Sequence, residues 1–146
     1  ARPFSLQTVL ELMQTRSDEA TQRLARLIAA ERDAKEKFAM LLQYRDEYTA
    51  RFRQAVQNGL GQPEWRNYQE FLTRLDEAIK QQMKLVSVQE THTAAGQEDW
   101  KRQRTKLKAL DALSEAIALV GTAGNPPEQK AQDEFAARSK DNEQES

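Results

Sequence analysis

The chain has 146 residues, with 22 basic and 23 acidic side chains, 38% hydrophobic residues and 31% charged ones. That length makes one domain the default, the composition argues against a compact, many-layered core, and the balanced charge gives no global case for nucleic acid. Cysteine is absent, which excludes disulfides, thiolate metal ligands and a cysteine nucleophile.

Ala, Leu, Glu, Gln, Lys and Arg dominate, and all favour helix; glycine and proline are sparse. The expectation is long amphipathic helices that bury a narrow seam. The first residues lack a basic-then-apolar signal pattern. The longest apolar run, "AIALV" at 116–120, is far short of the roughly 20 residues that span a bilayer. These features predict a soluble, cytoplasmic protein without membrane insertion.

A helix is predicted over about 5–57, with Ser5 as its N-cap. Alternating steps of four and three from Leu6 through Leu24, Ala34, Leu41 and Tyr48 to Ala55 stay on apolar or aromatic side chains, broken by Ser17, Glu31 and Arg45. A sustained repeat of that kind is a coiled-coil pattern. The turn falls at about 58–63. Asn58 and Gly59 suit a helix C-terminus, where a left-handed residue lets the last carbonyls be satisfied. Pro63 and Glu64 suit the first turn of the next helix.

The second helix is predicted over about 64–120. Its seam runs from Trp65 through Tyr68, Leu72, Leu75, Ile79, Gln82, Val86, Thr93, Gly96, Trp100 and Leu107 to Ile117. The polar stretch from Gln82 to Gly96 predicts looser packing or a bend, with Gly96 permitting close approach of the first helix. Two long helices joined by a short loop run antiparallel. A single kinked helix dimerising in parallel is the alternative, but two glycines and a proline are too many for a kink. The fold expected is therefore all-α, a long antiparallel two-helix coiled-coil hairpin in one domain.

A turn centred near 61 or 62 places each residue opposite the one whose number completes 123. Glu31 then lies near His92, Arg45 near Glu77 and Ala78, and Asp18 and Glu19 near Arg102, Arg104 and Lys106. "GTAGNPPEQK" at 121–130 is expected to end the second helix at Gly121 or Gly124, and the polar tail at 121–146 to hold a short helix, "EQKAQDEFAARSK", started at Pro127. The closing "DNEQES" is expected to fray.

No catalytic constellation is legible. His92 is the lone histidine, without a second ligand or an orienting group. The carboxylates have no apolar setting to raise a pKa, and Gly59 and Gly61 lack the strand and the Lys-Ser/Thr of a phosphate loop. The chain is read as a non-enzyme without metal or cofactor. "WKRQRTKLK" at 100–108 offers Lys101, Arg102, Arg104, Lys106 and Lys108 to an acidic partner, or a solvated face to Asp18 and Glu19. Near the turn, Tyr48, Tyr68 and Leu75 lie on the seam, whereas Tyr44 and Phe71 sit one residue off it. The opposed Tyr44 and Tyr48 against Ile79 and Leu75 form one apolar and aromatic patch, with Leu41 and Ala78 close by. Such a patch marks either a partner site or a wide seam of half-buried rings.

"LLQYRDEY" at 41–48, the "NG" turn, "WRNYQEFLTRLDEAIKQQ" at 65–82 and "QKAQDEFAAR" at 129–138 resemble the FliJ family of the bacterial flagellar protein export apparatus. The order and spacing of Tyr44, Tyr48, Trp65, Asn67, Tyr68, Gln69, Phe71, Asp133, Glu134 and Phe135 carry the resemblance across nearly the whole chain. It implies a coiled coil like the central stalk of rotary ATPases. It implies three partners: the hexameric flagellar export ATPase, whose assembly and hydrolysis the stalk promotes, the cytoplasmic part of the membrane export gate, and export chaperones. Carried over by position, the gate contact is Leu41, Tyr44, Tyr48, Phe71, Leu75, Ala78 and Gln82. The ATPase contact lies near the chain ends, with the basic stretch 101–108 as its candidate. The implied place is cytoplasmic, peripheral to the inner face of the cell membrane at the flagellar base. A plain export chaperone or scaffold of a related secretion system is the rival reading.

Overall fold

A computed structural model describes residues 5–123 and places them in two helices, α1 (Leu6–Gln57) and α2 (Gln62–Ala123), with no strand among the described residues. Contacts divide the chain into two compact units, Arg16–Gln103 and Ala1–Thr15 with Arg104–Ser146. The predicted tail helix, the "DNEQES" end and the residues Asp133, Glu134 and Phe135 lie outside the described residues.

In the larger unit the helices run antiparallel. Arg45 pairs with Asp76, and Arg23 with Asp99 at 3.0 Å, so early residues of α1 meet late residues of α2. The seam follows the predicted phase. Every buried residue (Ser17, Ala20, Ala34, Leu75, Gln82 and Thr93) occupies a predicted seam position. Most larger seam side chains are half-buried, because two helices alone cover each flank from one side only. Trp65, predicted to close the seam, remains exposed at the tip, where its ring meets Phe52 at 5.1 Å.

The turn is shorter than expected. Gly59 takes φ +88°, and its N–H donates to Val56 O at 3.2 Å, the left-handed geometry that glycine adopts without a Cβ penalty. Helix α2 resumes at Gln62, with Pro63 and Glu64 in its first turn. The Trp65 N–H donates to Gly61 O at 3.0 Å, and the Glu64 carboxylate folds back against Gly61. Arg45 meets Asp76, one residue from the Glu77 and Ala78 expected, whereas Leu27 faces Gly96 as the pairing places them. Glu31, expected near His92, pairs along its own helix with Lys35 at 3.1 Å.

The polar middle of the seam is not the loose stretch expected. The Gln82 side-chain amide donates to Ala34 O at 3.0 Å, and the Thr93 hydroxyl to Leu27 O at 3.3 Å. Polar side chains are tolerated at these buried positions because each donor reaches a carbonyl of the opposite helix. Nearby, Gly96 brings the helices close: a Cβ there would lie 2.5 Å from Leu27 Cδ1. Gly96→Ala should be nearly neutral, since about 1 kcal/mol of helix propensity offsets about 1 kcal/mol for turning Leu27 off its rotamer. Gly96→Leu should cost about 1–3 kcal/mol by overpacking. Thermal melts followed by circular dichroism decide this, and unchanged melting of Gly96→Leu would show that the approach is not close.

In the smaller unit, the Ser5 hydroxyl caps α1 by accepting the Thr8 N–H at 3.1 Å. Leu6, Leu10 and Met13 of α1 are half-buried, as are Leu107, Leu110 and Ser114 of α2. Helix α2, expected to end at Gly121 or Gly124, runs through Gly121 to Ala123, directly before Gly124. A glycine weakens a helix without ending it unless it turns left-handed, and Gly121 does not.

Candidate partner-docking surface

Next to the turn, aromatic side chains interleave from both helices. Phe52 meets Tyr68 at 5.1 Å between ring centroids, Tyr48 meets Tyr68 at 5.1 Å and Phe71 at 4.2 Å, and Tyr44 meets Phe71 at 6.1 Å in an edge-on arrangement. Seam spacing explains the interior members, because Tyr48, Phe52 and Tyr68 continue the repeat. Tyr44 and Phe71 sit one residue before their seam positions, so both lean to the same flank. There Tyr44 is 43% exposed, and Phe71 is half-buried beneath it. Each aromatic contact adds about 0.5–1.5 kcal/mol beyond burial, so the cluster presents a preordered surface. Burial chiefly pushes the Tyr48 phenol above its ordinary value, and the neighbouring Tyr68 and Tyr44 add to the shift. The ring is therefore neutral at physiological pH.

The seven residues singled out from the sequence divide by depth. Tyr44 and Ala78 are exposed, and Leu41, Tyr48 and Phe71 are half-buried. Leu75 and Gln82 are each only 6% exposed and lie beneath the surface. The physical reason was already in the seam repeat: both occupy positions that point between the helices. Leu75 underlies the surface, and Gln82 spends its amide donor on Ala34 O.

The basic stretch is not a bare run of charge. Lys101 pairs with Glu98 at 3.5 Å on its own helix, and Arg102 lies close enough to Asp99 to help hold that carboxyl down. The larger influence on Asp99 is the hydrogen bond from Arg23, which lowers its pKa against the opposing effect of burial. A lowered carboxylate pKa favours the folded state above the ordinary value, and the gain is lost as pH falls through the lowered one. Lys106 and Lys108, in the smaller unit, are exposed.

Two contacts escaped the sequence reading. The Trp100 indole N–H donates to the Thr21 hydroxyl at 3.0 Å, and Arg23 reaches Asp99. A seam tryptophan needs a partner for its N–H, which was the available signal. The flank that supplies the partner follows from the helix pairing. No helix among the described residues is long and apolar enough to cross a membrane.

A family model described as flagellar FliJ protein matches residues 3–145. A flagellar FliJ protein of Salmonella typhi is 29% identical over 141 residues, covering 94% of this chain and 95% of the relative. One from Escherichia coli strain K12 is 27% identical over 135 residues, covering 92% of each.

Proposed function

The chain belongs to the FliJ family of flagellar proteins, which makes it a component of the flagellar export apparatus, and from that premise we propose that it is a non-catalytic, stalk-like element of that apparatus. In this reading the hairpin engages the hexameric export ATPase through the region near the chain ends and promotes ring assembly and hydrolysis. The aromatic flank at Tyr44 and Phe71 docks on the cytoplasmic part of the membrane export gate, with Leu41, Tyr48 and Ala78 around it and Leu75 and Gln82 beneath. Export chaperones are further partners, and the protein works peripherally at the inner face of the membrane in support of flagellum assembly, motility and chemotaxis.

The observation that carries the reading is the off-seam pair, Tyr44 on α1 and Phe71 on α2, held edge to face with Tyr44 turned to solvent. Burying both rings in the seam would contribute more to folding than leaving them on a flank, and exposed aromatic anchors are typical of binding hot spots. No bound cofactor is required, since the proposed work is docking and transmission of force. The basic residues Lys106 and Lys108, and with them Lys101, Arg102 and Arg104, remain candidates for an acidic surface on the ATPase.

Adding the purified protein to the export ATPase is expected to raise its hexamer fraction and its hydrolysis rate. Size-exclusion chromatography with light scattering and a phosphate-release assay read the two effects. No change in either would remove the stalk role and leave the chaperone or scaffold reading.

A further inference from the structure

On the flank that carries Tyr44 and Phe71, positions 37, 40, 44, 47 and 51 of α1 share one stripe, and positions 71, 74, 78, 81, 85 and 88 of α2 share another, since steps of three and four keep to one face of a helix. Away from the turn the apolar surface continues beyond the two rings. Met40, one turn before Tyr44, is 61% exposed, and Leu85 on α2 is 43% exposed. The charges in the two stripes are three bases, Lys37, Arg51 and Arg74, and one acid, Glu47. The Glu47 carboxylate already accepts the Gln43 amide at 3.3 Å. Arg51 and Arg74 are exposed, and neither forms an ion pair among the described residues. Both stand beside the aromatic cluster: burial pushes the Tyr48 phenol up, and the two guanidinium groups pull against that push.

We propose that this flank takes an acidic amphipathic segment, whose apolar side chains cover Tyr44, Phe71, Met40 and Leu85 and whose carboxylates pair with Arg51 and Arg74. The segment belongs to the export gate, so the assignment rests on the docking reading above. The contact gains Met40, Arg51, Arg74 and Leu85, none of them among the seven residues carried over by position. A guanidinium is built to hold a carboxylate through two parallel hydrogen bonds. A neutral or basic segment on the same rings would strip water from two cations and return no partner, and an uncompensated charge is costly to cover. Complementary charge beside an apolar centre therefore selects the acidic segment and fixes its direction along the hairpin.

The test uses the full chain and the purified cytoplasmic part of the gate, with binding read by isothermal titration at low and high salt. Arg51→Glu with Arg74→Glu is expected to weaken binding at least about 10-fold at low salt. Wild-type affinity should fall as salt rises, and the affinity of this variant should not. Met40→Ser with Leu85→Ser is expected to weaken binding severalfold with the salt dependence kept. Arg53→Glu with Lys80→Glu makes the same change of charge one residue after the seam positions rather than one before, on the other side of the hairpin, and is expected to bind as the wild type does. Circular dichroism on every sample should keep its helical form, because all six side chains are exposed. Wild-type binding by either of the first two variants, or an equal loss in the Arg53 and Lys80 variant, overturns the proposal. Tyr44→Ala with Phe71→Ala then tells the two readings apart: if it alone loses binding, the docking surface stands without the acidic partner. No binding by the wild-type chain overturns both.

Discussion

Replacing Tyr44 and Phe71 together by alanine is expected to abolish binding to the cytoplasmic part of the export gate while the protein stays helical. A single hot-spot aromatic is worth about 2 kcal/mol or more on truncation, which is roughly a 30-fold loss of affinity. The two rings touch each other, so their losses will not simply add, and the double variant should bind at least about 30-fold more weakly. Tyr44 is 43% exposed, and its removal costs the fold little beyond its contacts with Tyr48 and Phe71. Isothermal titration with the gate fragment measures the loss, and circular dichroism on the same samples controls for folding. Binding at the unaltered level would rule out this flank as the docking surface. A large drop in helicity would assign the rings to packing instead.

The second large effect falls on stability. Among the described residues, Leu75 is the one buried hydrophobic side chain larger than alanine, at 6% exposure. Leu75→Ala should therefore cost about 2–5 kcal/mol, the range for emptying a leucine site, against a total stability of about 5–15 kcal/mol for an ordinary domain. Urea denaturation followed at the helical dichroism band should show a lower midpoint with an unchanged slope. Leu75 lies one turn beyond Phe71 on α2, where side chains four apart touch, so gate binding should fall as well. The two variants separate the roles: Leu75→Ala moves the midpoint and the affinity together, whereas Tyr44→Ala moves the affinity with little change in the midpoint. A wild-type midpoint for Leu75→Ala would show that the packing beside the aromatic flank does not depend on this side chain.

Much of this architecture was legible in the residue order. The phase of the seam in α1 could be read from Leu6 to Ala55, because a repeat of alternating threes and fours holds only if one face stays against a partner. The left-handed Gly59 and the early Pro63 announced the turn through backbone preferences that operate locally. The off-seam placement of Tyr44 and Phe71 followed from counting alone.

What the order of residues left open concerned depth and partners across the seam. Leu75 and Gln82 stood both on the seam and in the contact set carried over by position, and position alone does not give depth; both are 6% exposed. The stretch from Gln82 to Gly96 looked weak, since polarity was visible while the carbonyls of Ala34 and Leu27 that satisfy it were not. Arg45 was one residue from its ion-pair partner, because the pairing sets backbone opposite backbone while a long side chain reaches along the neighbouring helix.

By itself, then, the sequence determined which residues are helical, which face of each helix is apolar, where the chain reverses and which aromatics stand off the seam. Those properties depend on interactions within a turn or two of the chain, or on a period that repeats. Tertiary structure decided the register, the depth of each seam side chain and the donors paired across the helices. Those depend on the distance between two helices and on the few residues that join them, and no local preference specifies that distance.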